Sequence, residues 1–234
     1  MIVAIHQPNY LPWLGYFFKI ARAEAFVFLD DVQFSKGSYT NRVQLLDAGG
    51  RLHWLTVPVS VALGDAVAAV RPARPDWPAR HWDTIKGFYR QAPAFAAVAP
   101  RIRTWFAELD GTAPLSETNQ VLIRAIAEAL GFGCRFVRSS VLAVPKPAAT
   151  DDRLVHLTKA LSPSATYLSG KGGAKYQNPE KFAAAGLGFR YSAFSHPRYD
   201  QGGDAFVAGL SVLDVLFRFG WRETHDLIES SGGI

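Results

Sequence analysis

Four short clusters hold the residues best able to do chemistry. The first surrounds Pro8 and Pro12 and contains His6, Gln7, Asn9, Tyr10 and Trp13. Proline fixes φ, so two of them stiffen the loop that carries these groups. His6 suits proton transfer or anion binding, because an unperturbed imidazole titrates near neutrality.

The second cluster runs from Asp30-Asp31 through Gln33 to Lys36, with Asn41 and Arg42 close behind. Asp30 is a candidate catalytic residue. Adjacent carboxylates can hold a hard cation such as magnesium, but such pairs more often close a loop, and no metal site is assigned. Lys36 and Arg42 suit a phosphate or carboxylate, Arg42 through a two-pronged contact. Gln33 and Asn41 join them as substrate-binding candidates.

The third cluster, Ser169-Gly170-Lys171-Gly172-Gly173, is followed by Lys175 and Tyr176. Glycines permit close backbone approach, and free amides with ammonium groups suit an anion. The spacing is neither a Walker A loop nor the dinucleotide fingerprint. In the fourth cluster His196 is a candidate catalytic residue, and Arg198, Tyr199 and Gln201 are candidates for substrate contact.

The elements that must position these clusters alternate between strand and helix. Residues 2–5 are apolar and β-branched, as in a buried strand, and Pro8 and Pro12 cannot continue a ladder. Residues 14–23 read as a helix with Lys19 and Arg22 available for its wet side. Residues 25–29 then form a second buried strand. If the strands are parallel this is a right-handed βαβ unit, and both His6 and Asp30 lie at the carboxyl edge where such sheets bind ligands.

Residues 42–46 and 52–57 flank Asp47-Ala48-Gly49-Gly50 and predict an antiparallel hairpin. A mainly helical insertion at about 78–131 follows, with helices near 81–91, 100–109 and 116–130, the last capped by Ser116. Strands at 134–137, 166–168 and 187–191 alternate with a helix ending at Leu161, capped by Thr150 or Asp151, and another at 180–185 capped by Asn178. A final helix covers about 211–219. The expected fold is α/β: a Rossmann-like, largely parallel sheet with flanking helices, an antiparallel hairpin and the helical insertion, all in a single domain over 1–234.

Composition narrows the partners. Residues 134–199 contain ten Lys or Arg and three Asp or Glu, a local net charge of +7, whereas the segment after Tyr199 is acidic. A cleft lined by one sign of charge concentrates the opposite sign. Cys134 is the single cysteine, which suits a reducing compartment. Residues 1–6 lack the pattern of a secretory signal, no apolar stretch approaches the about 20 residues of a membrane span, and a cytoplasmic location is expected. The tryptophans form no stacking stripe, so nucleic-acid binding is unsupported, and Trp77, Trp82 and Trp105 are assigned to helical packing. Asp214, within an apolar run, requires hydrogen bonds or an arginine partner.

Taken in order, His6 to Tyr16, Phe28 to Phe34, Asn41-Arg42, Tyr167-Leu168-Ser169-Gly170, His196-Pro197, Tyr199, Gln201 and the run from Ser211 to Phe217 resemble the WbqC-like family over essentially the whole chain. The resemblance implies association with O-antigen or related surface-glycan biosynthesis. The opening strand, loop and helix also look like the HIGH-type nucleotidylyltransferase fold, whose two histidine positions fall on Trp13 and Tyr16 around Gly15. Neither side chain offers an imidazolium to developing phosphate charge. The expected activity is transfer of an acyl, aminoacyl or similar small group to an activated or amino sugar. The ligand would be an anionic small molecule such as a nucleotide sugar or sugar phosphate, and no cofactor is identified. The alternative is a noncatalytic factor that binds a phosphorylated sugar or a partner enzyme.

Overall fold

Alternation along the first strand sets the layering. The computed structural model describes residues 1–147, 149–175, 177–203 and 205–233. β1 (Ile2–His6) sends Val3 and Ile5 into one apolar cluster and Ala4 into another, as successive strand side chains must. The helix α1 (Leu14–Arg22) lays Leu14, Phe17, Phe18 and Ile20 on the Ala4 side, and β2 (Ala25–Phe28) pairs in parallel with β1, His6 opposite Phe28. Lys19, expected on the wet side of α1, is only 6% exposed.

Between β2 and its other neighbour the chain makes a long excursion. The hairpin β3 (Arg42–Leu46) and β4 (Leu52–Thr56) turns where expected, with Gly50 in the left-handed region at φ 75°. A small pair, β5 (Val59–Ser60) and β6 (Arg71–Pro72), was not legible because two-residue strands leave no periodicity. The helices α2 (Trp77–Tyr89), α3 (Phe95–Glu108) and α4 (Leu115–Ala129) follow. Two details differ from expectation. Pro100 lies inside α3 rather than opening it. Pro114, not Ser116, caps α4, and the Ser116 hydroxyl instead accepts a hydrogen bond from Gln120.

β7 (Arg135–Arg138), α5 (Thr150–Leu161), β8 (Thr166–Ser169), α6 (Pro179–Ala184), β9 (Gly188–Tyr191) and α7 (Val212–Ser230) complete the chain. Asn178 caps α6 by accepting from the Glu180 amide, as its position predicts. Neither Thr150 nor Asp151 caps α5, whose cap residue is Ala149; Asp151 accepts instead from the Asn178 amide. Gly220, at φ 85°, ends the expected final helix after Phe219, but the chain resumes helix and runs to Ser230.

The five-stranded sheet is wholly parallel in the order β7-β2-β1-β8-β9. One face carries Val3, Ile5, Val27 and Tyr167 against Leu154 and Leu157 of α5 and Phe182 of α6. The other carries Ala4, Phe26, Phe28 and Leu168 against α1, α7 and the helices of the excursion. Among the described residues, no helix is long and apolar enough to cross a membrane.

The end of β2 is clamped to the turn after β7. Asp30, 1% exposed, accepts from the Ser140 amide (2.9 Å) and the Ser140 hydroxyl (2.8 Å), and its own amide donates to Ser139 Oγ (3.1 Å). Asp31 beside it pairs with Arg153 and Lys146. Removing a buried acceptor leaves its donors without partners. Asp30→Ala is therefore expected to lower unfolding stability by about 3 kcal/mol, read from the urea midpoint. A loss below about 1 kcal/mol would show that the clamp contributes little.

Candidate functional site

Strand order reverses between β1 and β8, and open parallel sheets bind ligands beyond the carboxyl ends of the strands at such a point. A cavity of about 370 Å³ lies there. The end of β1 contributes Ile5 and His6, and the start of α1 contributes Trp13, Gly15, Tyr16 and Lys19. The opposite wall is Ser169 to Gly173 with Gln177, and the segment leaving β9 adds Ser192, Phe194 and His196. Glycine suits the places where walls close: a Cβ at Gly15 would stand 2.8 Å from Phe194, and one at Gly173 would collide with the Ser169 and Gln177 side chains.

His6 is wedged between aromatic rings, 4.9 Å from Tyr16 and 5.8 Å from Trp13. Burial, helped by the nearby Lys19 charge, pushes its pKa down to about 3 against the opposing Gln7 carbonyl contact, so the ring is neutral near pH 7. Its Nδ1 lies 3.1 Å from the Gln7 carbonyl oxygen. A carbonyl only accepts, so Nδ1 carries the proton and Nε2 keeps a lone pair. Tyr16 donates to the same carbonyl at 3.0 Å. Burial also lowers the pKa of His196, which stacks edge-on to Phe194 at 4.9 Å.

Lys19 donates to the Ile5 carbonyl at 3.1 Å, and burial pushes its pKa down to about 8. Lys171 stands exposed on the opposite wall. Ser169 hydrogen-bonds Gln177, whose amide donates to the Tyr167 hydroxyl at 3.2 Å. No carboxylate lines the cavity among the described residues. Two cations, two neutral imidazoles and a glycine turn make a pocket suited to an anion.

Of the residues singled out in the sequence, His6, Trp13, Ser169, Gly170, Lys171 and His196 converge here. Asp30 does not: the clamp between β2 and β7 occupies its carboxyl, so it does not share the site. Gln7, Asn9 and Tyr10 form the inner side of the β1–α1 loop. Gln7 accepts from Thr40, Asn9 is buried, and the Tyr10 hydroxyl meets His81 Nδ1 at 2.7 Å. Gln33 and Lys36 are exposed in the segment that leads to β3, away from the cavity. Asn41 donates to the Val57 carbonyl, and Arg42 lies 4.1 Å over the Trp54 ring.

The last cluster divides. Tyr199 donates to Asp214, which also accepts from Tyr89 and pairs with Arg218, so Asp214 has the partners its burial demands. Gln201 holds the Val207 backbone through both ends of its amide. Arg198 sits over Phe206, beside Tyr199 and Gln201 in a shallow surface hollow apart from the crevice. Tyr176 lies outside the described residues. Lys19, Gln177, Ser192 and Phe194 were missed. Lys19 had a signal, since a lysine on the apolar stripe of a short helix beside a strand end has only the strand's carbonyls to meet. Ser192 and Phe194 had none.

Neutral buried histidines leave a mark on titration. The His6 ring resonances are expected to stay those of the neutral, Nδ1-protonated form from pH 5 to 8. A midpoint near the ordinary value of about 6.5 would contradict the burial argument. His81, whose pKa burial lowers to about 4, acts in the same direction. Folded pKa values below the unfolded one mean that the unfolded chain binds more protons on acidification. Stability should therefore fall from about pH 6.5 toward pH 4, by up to about 1.4 kcal/mol per pH unit for each histidine.

Comparison with known proteins agrees with the whole-chain resemblance. The uncharacterized protein Rv1507c of Mycobacterium tuberculosis (strain ATCC 25618 / H37Rv) is 31% identical over 222 residues, 93% of this chain and 94% of that protein. No solved structure matches, and the likeness to the HIGH-type fold rests on sequence alone. Trp13, Gly15 and Tyr16 do line the cavity, with His6 as the imidazole beside them. Residues 7–226 match the profile of the WbqC-like protein family, and the chain belongs to that family.

Proposed function

We propose that the crevice binds an anionic activated or amino sugar, such as a nucleotide sugar or sugar phosphate. The chain then transfers a small acyl or aminoacyl group to it in bacterial surface-polysaccharide biosynthesis. The supporting observation is the lining at the β1/β8 switch point: Lys171, Lys19, the glycine turn and two imidazoles, with no carboxylate among the described lining residues. The pathway follows from what the family resemblance implies.

In this scheme Lys171 holds the anionic group from the β8 wall, while Trp13 and Phe194 face the less polar part of the ligand. His6 Nε2 takes the proton released as the sugar's amino or hydroxyl group attacks the acyl carbonyl. The donor's leaving group departs with the electron pair of the broken bond. His196 is the second imidazole available to return a proton to it. Asp30 has no part in the scheme.

A noncatalytic factor is the second reading, favoured by a groove of about 500 Å³ between α2 and α3 lined by Trp82, Phe95 and Ala99. The test begins with thermal unfolding against a panel of nucleotide sugars, sugar phosphates and nucleotides, followed by mass spectrometry of mixtures with acyl and aminoacyl donors. A true ligand should raise Tm by about 2 °C or more when well above its Kd. Lys171→Ala should weaken that ligand about tenfold. His6→Ala should retain binding and lose about a hundredfold in turnover. Unchanged binding and turnover in both variants would remove these roles, and binding without turnover by the unaltered chain would favour the second reading.

A further inference from the structure

The crevice contains a buried cation with no anionic counterpart among the described residues. Lys19 is 6% exposed, lines the cavity from α1, and makes no ion pair among the described residues. An ammonium has three N–H donors, and the hydrogen bond found for this one goes to the Ile5 carbonyl. Burying a charge is expensive unless it is paired and hydrogen-bonded. A folded chain that retains one at the wall of an open cavity leaves it for a ligand to neutralise.

We propose that Lys19 is the principal charge that seats the substrate's anionic group, in the crevice it lines together with His6 and the Ser169–Gly173 turn. This rests on the anionic-substrate reading and deepens it. Lys171 is exposed, so solvent and salt screen its attraction, whereas a desolvated ammonium acts at lower effective dielectric. The placement has a consequence for His6. The Lys19 charge is one of the causes that keep its imidazole from accepting a proton, and an anion set against Lys19 offsets that charge. Binding would thereby restore part of the basicity that proton transfer needs.

The titratable groups that line the cavity with Lys19 can be named. They are His6 from β1, Tyr16 from α1 itself, Tyr167 from β8, Lys171 from the following turn, and His196 beyond β9. On α7, which packs against α1, Glu229 is engaged by Arg22. Burial lowers the proton affinity of both histidines and raises that of Tyr16. Lys19, with its pKa near 8, is the group placed to change charge in the alkaline range where binding can be followed. An anion prefers the protonated form, so affinity is complete below that pKa and falls above it.

The test uses sulfate, whose charge is constant across the range, titrated into the full chain from pH 6.5 to 9.5 and followed through the amide resonances of residues 170–173. Affinity should be flat on the acid side and fall about tenfold per pH unit beyond the Lys19 midpoint. Lys19→Arg should bind with that transition removed, because guanidinium keeps its charge. Lys19→Met should lose about tenfold or more at pH 7. Lys171→Gln should weaken binding while the transition stays in place. Binding that ignores Lys19→Met, or a wild-type profile with no transition between pH 7 and 9, overturns the assignment of Lys19 alone. No sulfate binding at this crevice in the wild type overturns both the assignment and the anionic-substrate reading. The pH series and Lys19→Arg decide the matter if Lys19→Met fails to fold.

Discussion

The site depends on keeping an irregular, largely buried loop in one conformation. Residues 7–13 leave β1 without a ladder, and buried carbonyls outside a sheet must be satisfied from elsewhere. Asn119 of α4 does so with one amide, donating to the Pro8 and Thr40 carbonyls at 2.8 Å each. Ser211, which caps α7, donates to the Leu11 carbonyl at 2.8 Å, and the Val212 amide donates to Pro12. Leu11 sits at φ 42°, a conformation that non-glycine residues rarely adopt and that persists only when surroundings enforce it. The polar residues that make this stretch look like a catalytic loop are thus mostly occupied in holding it, and His6, Trp13 and Tyr16 at its ends are what it presents.

That division of labour explains why the electrostatics of the crevice are one-sided. Gln7 and Tyr10, on the inner side of the loop, are engaged by the Thr40 hydroxyl and His81, and the acidic pair after β2 is engaged by Ser139, Ser140, Arg153 and Lys146. Burial opposes ionisation of Asp31, but the Ser139 hydrogen bond and the two cations hold its pKa below the ordinary range. Asp30 and Asp31 are therefore engaged away from the cavity. Lys19 and Lys171 face the cavity without them.

The sheet was legible because period-two alternation and short β-branched runs survive without tertiary information: β1, β2, β8 and β9 fall within a residue or two of where pattern places them. The hairpin was legible from its paired glycines. The site was legible at His6, Ser169 and Lys171, where a strand end feeds directly into a polar loop, and at Trp13 and His196 farther along such loops. It failed at Asp30 because the same rule says nothing about whether a neighbouring strand will cap the carboxyl, and here the turn after β7 does. It failed at Lys36, Asn41 and Arg42 because the chain leaves the sheet edge for the hairpin before those residues. Lys19 was expected on the wet side because its sequence context is that of an amphipathic helix, although its place on the apolar stripe beside a strand end was the signal against that reading.

The bend at Gly220 has a mechanical meaning for the crevice. It lets a single helix reach α1 twice, with Ser211 bracing the loop before it and Glu229 meeting Arg22 at its far end. The α1 side of the cavity is in this way held at both of its ends. A ligand arriving on that side meets its final geometry at once, so the ordering entropy that association ordinarily demands there has already been surrendered during folding.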